Sequence, residues 1–116
     1  MSTVDNIVYR EYHGKEMIRS VKHSDVTHFT SGDKYIIAHH ENGEVLIRDS
    51  LKRLLNADPN FISIHRGVIV RRLLLQRGLR HMYEDVYAVL LTNGQSLKVA
   101  RSQVKTVLKV CKQNGA

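Results

Sequence analysis

The sequence predicts a mainly β domain built from antiparallel hairpins, with two short helices. Three observations carry that expectation. Asn42-Gly43 and Asn93-Gly94 each stand between runs of strand-forming residues. The decapeptide Phe61 to Val70, F-I-S-I-H-R-G-V-I-V, is apolar with the periodicity of a half-buried strand. Helical spacing behind a capping residue occurs only twice, after Asp49-Ser50 and after Ser102.

In chain order, a first hairpin is expected from Ile7-Val8-Tyr9-Arg10 through His13-Gly14-Lys15 to Met17-Ile18-Arg19. A second pairs Tyr35-Ile36-Ile37-Ala38-His39 with Val45-Leu46-Ile47-Arg48. Its connection reads as a two-residue type I′ turn, because Asn and Gly both accept the positive φ that this turn demands. Leu51 to Leu55 then forms a short helix, with Pro59 stopping its continuation. The strand Phe61–Val70 is interrupted by His65 and Arg66, planar nitrogen-rich side chains that aim donors outward better than they build a core. Leu73 to Met82 stays open between strand and loop. Val86-Tyr87-Ala88-Val89-Leu90 pairs with Ser96-Leu97-Lys98-Val99 across the second Asn-Gly turn. Last, Ser102 caps a helix in which Val104, Val107, Leu108 and Cys111 share one face, leaving Lys105, Lys109 and Lys112 on the polar side.

A chain of 116 residues, 42% of them hydrophobic, suits one domain over residues 1–116 with a modest core. One proline and no low-complexity tract leave little room for an interior linker. The lone Cys111 cannot form an internal disulfide; it reads as a small filler in a reducing compartment. The N-terminal M-S-T-V-D-N lacks the features of a signal peptide, and runs such as Ala88 to Leu91 are too short to span a bilayer. A soluble cytoplasmic chain without a membrane partner is expected. Scattered acids, no G-x-S-x-G elbow and no phosphate-binding loop argue against an enzyme, a small-molecule substrate or a cofactor. His39 and His40 point to opposite faces of a strand, and no H-x-x-x-H or C-x-x-C spacing converges metal ligands.

Charge points to the partner. Residues 65–112 carry ten Lys or Arg against two acids, Glu84 and Asp85, a net of +8. Residues 1–64 carry eight bases against nine acids, a net of −1. Segregation of this kind favours a polyanion, nucleic acid ahead of a membrane surface. Lys34, Arg66 and Arg101 each fall beside a strand end, where a rigid sheet holds a loop toward a ligand. Any one alone reads as a solvated cation; three such positions beside a +8 half tip the balance. Arginine offers a fork that matches guanine O6 and N7, and lysine serves phosphate or guanine as a point charge. Arg71, Arg72, Lys98, Arg77 and Arg80 read equally as phosphate contacts or solubility charges.

The order F-T-S-G-D-K-Y-I-I-A-H, N-G-E-V-L-I-R-D-S-L-K-R-L-L, F-I-S-I-H-R-G-V-I-V and V-L-L-T-N-G-Q-S-L-K-V-A-R resembles the LytTR DNA-binding domain over about residues 15–110. It looks closest to the type in the alginate regulator AlgR. The succession at matching spacing is specific, whereas no single piece is. The resemblance implies an elongated domain of stacked antiparallel sheets that inserts loops, not a recognition helix, into successive major grooves of double-stranded DNA. It implies base-reaching side chains at Lys34 (or Asp33), Arg66 and Arg101, with His65 on the structural or phosphate side. Arg71, Arg72, Lys98, Ser102 and Lys105 complete the expected phosphate or supporting set. It also implies two copies on direct repeats. Gly67 stands where the family often has Ser or Asn, Arg71 where Asn is common, and Ala100 where Ser usually precedes the arginine. Family members usually carry a receiver or membrane segment; neither is seen here, so an excised output domain or a small stand-alone protein is expected.

The rival from another class is a LytTR-like module that binds a protein partner and modulates another regulator without specific DNA binding. RNA binding has little support, since the chain lacks Trp and a clustered aromatic platform.

Overall fold

A computed structural model describes residues 3–114. Among these residues ten strands form three antiparallel sheets, joined by three helices and short 3-10 turns. The molecule is elongated, 49 × 30 × 24 Å.

The first sheet is the hairpin of β1 (Val8–His13) and β2 (Glu16–Lys22). Its two-residue turn is Gly14-Lys15, with Gly14 at φ +65, the left-handed region that glycine enters without penalty. The central sheet has five strands in the order β5-β4-β3-β7-β6: β3 (His28–Ser31), β4 (Ile36–His40), β5 (Gly43–Ile47), β6 (Phe61–His65) and β7 (Val68–Arg71). The third holds β8 (Leu79–Tyr83), β9 (Val86–Leu90) and β10 (Ser96–Lys98). All three hairpins expected from the sequence are present.

Their turns differ from expectation. His40 pairs with Gly43, so the β4–β5 loop is Glu41-Asn42 and the glycine, at φ +148, already belongs to the strand. Asn42 and Asn93 keep negative φ, which excludes the type I′ geometry. In the second case Gly94 N–H donates to Leu91 O (3.0 Å) and Leu91 N–H to Gln95 O (2.8 Å). With Gly94 at φ +88, this is a three-residue loop closed by a left-handed glycine.

The helix expected after Asp49-Ser50 is α1 (Leu51–Ala57), whose first turn is capped by Ser50 Oγ accepting from Arg53 N–H at 3.1 Å. The stretch left open between strand and loop is neither throughout: Arg72–Gly78 forms a helix, α2, and Leu79–Tyr83 forms β8. Three helices therefore stand where two were expected. Leu75 and Gly78, one turn apart, are the buried positions of α2. Gly78 is where the helix meets β9; a Cβ there would collide with the Leu90 carbonyl oxygen. The last helix, α3 (Val104–Asn114), begins two residues after Ser102.

Two cores result. One contains Tyr9, Val21, Phe29, Ile36, Val45, Leu54, Phe61 and Ile69, between the central sheet, the first hairpin and α1. The other contains Ile62, Ile64, Val70, Leu75, Val89, Val99 and Val107, between the central sheet, the third sheet, α2 and α3. β6 and β7 supply both. That corrects the reading of Phe61–Val70 as one half-buried strand: it is two strands covered on both faces, hence its near-continuous apolar run. Where the edge strand β5 would expose an amide, Glu11 Oε1 accepts from Leu46 N–H at 2.9 Å.

Beside the first core lies a buried polar chain. His23 Nε2–H donates to Asp58 Oδ2 (2.7 Å), which leaves Nδ1 to accept from the Tyr9 hydroxyl (2.6 Å). Burial, with the Asp49 and Asp58 carboxylates, pushes the Tyr9 hydroxyl up to about 12. Burial opposes ionisation of Asp58, but hydrogen bonds from His23 and the Asn60 amide hold its pKa below the ordinary value.

Candidate nucleic-acid interface

The hairpin β6–β7 turns at Arg66-Gly67, which puts Arg66 at the tip of the strand pair shared by both cores. Its side chain is exposed. Gly67 N–H donates to His65 Nδ1 at 3.1 Å, so a neutral His65 keeps its proton on Nε2, a donor at the same tip. A Cβ at Gly67 would meet Ser31 Oγ at 3.5 Å, ordinary contact, so the residue is not required by space.

Lys34 lies in the loop between β3 and β4, exposed, one residue from exposed Tyr35. Gly32 N–H donates to Tyr35 O (2.7 Å), and a Cβ on Gly32 would sit 2.9 Å from that oxygen, so this tight loop needs glycine. Ser31 N–H donates to Gly67 O at 2.9 Å and ties the Lys34 loop to the Arg66 tip. Lys34 and Arg66 line one shallow cleft with Asp33, Asp49 and Ser50. Asp49 is engaged by Arg53, whose hydrogen bonds hold the carboxyl below its usual pKa.

Arg101 opens the 3-10 turn Arg101–Gln103. Ala100 N–H donates to Ile64 O at 2.7 Å, which anchors this segment beside the end of β6. Arg101 Nε lies 3.1 Å from Asp85 Oδ2 in the turn between β8 and β9. Through these backbone bonds the three loops carrying Lys34, Arg66 and Arg101 come together around the outer end of β6 and β7.

The supporting set divides. Lys98 on β10 and Lys105 in the first turn of α3 are exposed. Arg71 is half-buried: its Nε donates to Val26 O (3.0 Å), its Nη2 to His23 O (2.8 Å), and its guanidinium stands 4.6 Å from the centroid of Phe61. Those donors are committed inside the fold. Arg72 is half-buried beside Ser63, Gln103 and Thr106, with its Nε shielded from solvent. Ser102 is exposed and lies within the 3-10 turn Arg101–Gln103, not at the cap position of the helix that starts at Val104. The reason is local: Gln103 N–H is taken by Ala100 O (2.8 Å), so a 3-10 turn precedes the helix and Ser102 falls inside it. In the sequence Asp85 is one of two acids in a basic half; its meeting with Arg101 brings the β8–β9 turn to the 3-10 turn after β10 and leaves no sequence signal.

Among the described residues Asp5, His23 and Asp58 bring potential ligand atoms within 4.8 Å. Both His23 nitrogens are already bonded, to Tyr9 and Asp58, which makes this grouping a structural hydrogen-bond chain. No helix among the described residues is long and apolar enough to cross a membrane.

Residues 16–112 match the family of the LytTr DNA-binding domain, and the chain belongs to that family. Its members are DNA-binding domains rather than enzymes, and this chain is a DNA-binding domain accordingly. Among solved structures it is similar to a Bacillus cereus chain described as the LytTr DNA-binding domain of a methyl-accepting/DNA response regulator. The TM-score is 0.72 at 21% identity, over 89% of this chain and 94% of the other, which establishes the shared fold. A search of curated proteins finds no significant match.

Proposed function

We propose that this chain acts as the sequence-specific, double-stranded DNA-binding output domain of a bacterial transcription regulator of the AlgR-like kind, a single domain over residues 1–116. In this reading Arg66, Arg101 and Lys34 reach base edges in successive major grooves. His65, Lys98 and Lys105 contact phosphate, and Arg71, Arg72 and Ser102 support the fold behind them. The observation that carries the reading is the joining of the three loops: Ser31 N–H to Gly67 O and Ala100 N–H to Ile64 O bring three exposed cations to one end of a doubly buried strand pair. The family's direct-repeat arrangement extends to two copies, one per half-site.

Selection of bound sites from random duplexes tests this. The expected outcome is a recovered motif with two contacted blocks about one helical turn apart. Recovery of no motif, with all duplexes bound alike, would overturn sequence-specific reading and favour the protein-partner module.

A further inference from the structure

We infer that Asp85 is a positioning residue for DNA reading: it holds the Arg101 guanidinium in one orientation and so exchanges raw affinity for selectivity. The inference rests on the proposed role of Arg101 as a base reader.

The contact joins Arg101 Nε to Asp85 Oδ2 at 3.1 Å, with side chains 76% and 57% exposed. An ion pair this open to water contributes little to folding, so stability does not explain it. The turn that presents Asp85 is built against local preference. Glu84 has φ +44, the only positive φ at a non-glycine among the described residues. His81 Nε2–H donates to Glu84 O at 2.5 Å, and its ring packs on Tyr87 with centroids 4.8 Å apart. The turn is thus held from two sides in the shape that delivers the carboxylate.

Placed there, a carboxylate weakens binding to any duplex, because it faces a phosphate-rich partner. Its compensating effect is geometric. Arginine has five N–H donors in one plane; an ion pair at its Nε edge leaves the four on the terminal amino groups free and biases the plane in which they point. A fork biased this way matches guanine O6 and N7 and swings less readily to a neighbouring phosphate when the base is wrong. Asp85 therefore penalises incorrect sites more than the correct one.

The test compares the whole chain with Asp85→Asn, Asp85→Ala, Arg101→Ala and the double variant Asp85→Asn/Arg101→Ala. Dissociation constants are measured at fixed salt on the selected site, on that site altered at each base pair, and on random duplex. Arg101→Ala defines which base pair Arg101 reads. With Asp85→Asn, affinity for random duplex should rise while preference at that base pair falls about threefold, with other positions unchanged. In the Arg101→Ala background the Asp85 change should no longer alter preference anywhere. A uniform gain on every duplex, with preference intact, would reduce Asp85 to a repulsive charge and overturn the inference alone. If Arg101→Ala itself leaves every base preference intact, Arg101 is no base reader and both readings fall. Asp85→Ala, which removes the hydrogen-bonding group as well as the charge, should lose at least as much preference as Asp85→Asn; full retention would also overturn the inference.

Discussion

The guanidinium of Arg71 lies over the ring of Phe61, 4.6 Å from its centroid, while its nitrogens bond the carbonyls of His23 and Val26. One side chain thereby ties β7 to the 3-10 turn His23–Asp25 that begins the buried Tyr9–His23–Asp58 chain. Arg71→Ala should cost about 3 kcal/mol, since two charge-assisted bonds and a cation–π contact disappear and two carbonyls lose a donor. Urea denaturation measures that loss. Salt dependence of DNA binding in the folded fraction should stay as in the parent, whereas losing a phosphate contact would flatten it by about one unit of slope.

Removal of the proposed base readers should act differently from removal of a positioner. Arg66→Ala and Arg101→Ala should each cost roughly 1–3 kcal/mol on the selected site and flatten preference at one base position. Lys105→Ala should weaken all duplexes alike. Binding titrations on matched and altered sites distinguish them; equal losses on specific and random DNA would demote both arginines to backbone contacts.

Acid should destabilise the domain through His28. This side chain is 2% exposed and stacks on His39 with ring centroids 4.2 Å apart. Burial and the neighbouring His39 push it down to about 4. Its folded pKa lies below the unfolded value of about 6.5, so the unfolded chain binds more protons between the two. The stability from a neutral His28 is present above about pH 6.5 and is lost as pH falls toward 4, by about 3 kcal/mol. His28→Phe should flatten chemical denaturation curves recorded across that window. An unchanged slope would assign the acid sensitivity elsewhere.

Gly78 is required by space rather than by φ. A Cβ there meets the Leu90 carbonyl, a backbone group that cannot rotate away. Gly78→Ala should therefore destabilise by about 3 kcal/mol despite alanine's better helix propensity, an effect read directly from thermal or urea melts.

The hairpins were legible because each is a local contract between a turn and its arms. Turn types were not, because they depend on register: pairing of His40 with Gly43 moves the β4–β5 loop onto Glu41-Asn42. The helix α2 was hidden for a tertiary reason, since Leu75 and Gly78 become a buried face only once β9 lies beside them. For the candidate interface, Arg66 was visible as the one bend in an apolar run, and the bonds from Ser31 to Gly67 and from Ala100 to Ile64 bring the loops of Lys34 and Arg101 toward it. Arg71 carried the same charge as its neighbours in the sequence. Nothing local distinguished a guanidinium bonded to carbonyls of another segment from one left in solvent.

The sharing of β6 and β7 by two cores has a mechanical consequence. A strand pair gripped on both faces behaves as a clamped beam, and Arg66 rides at its free end. Thermal agitation at that tip is limited to the two-residue turn and the side chain, because any larger swing must disturb one hydrophobic layer or the other. If the tip docks on DNA as proposed, the backbone order it needs is largely settled when the chain folds, and little remains to be frozen on binding. The same clamping couples the two layers: loosening either should blur the aim of the tip long before the domain unfolds.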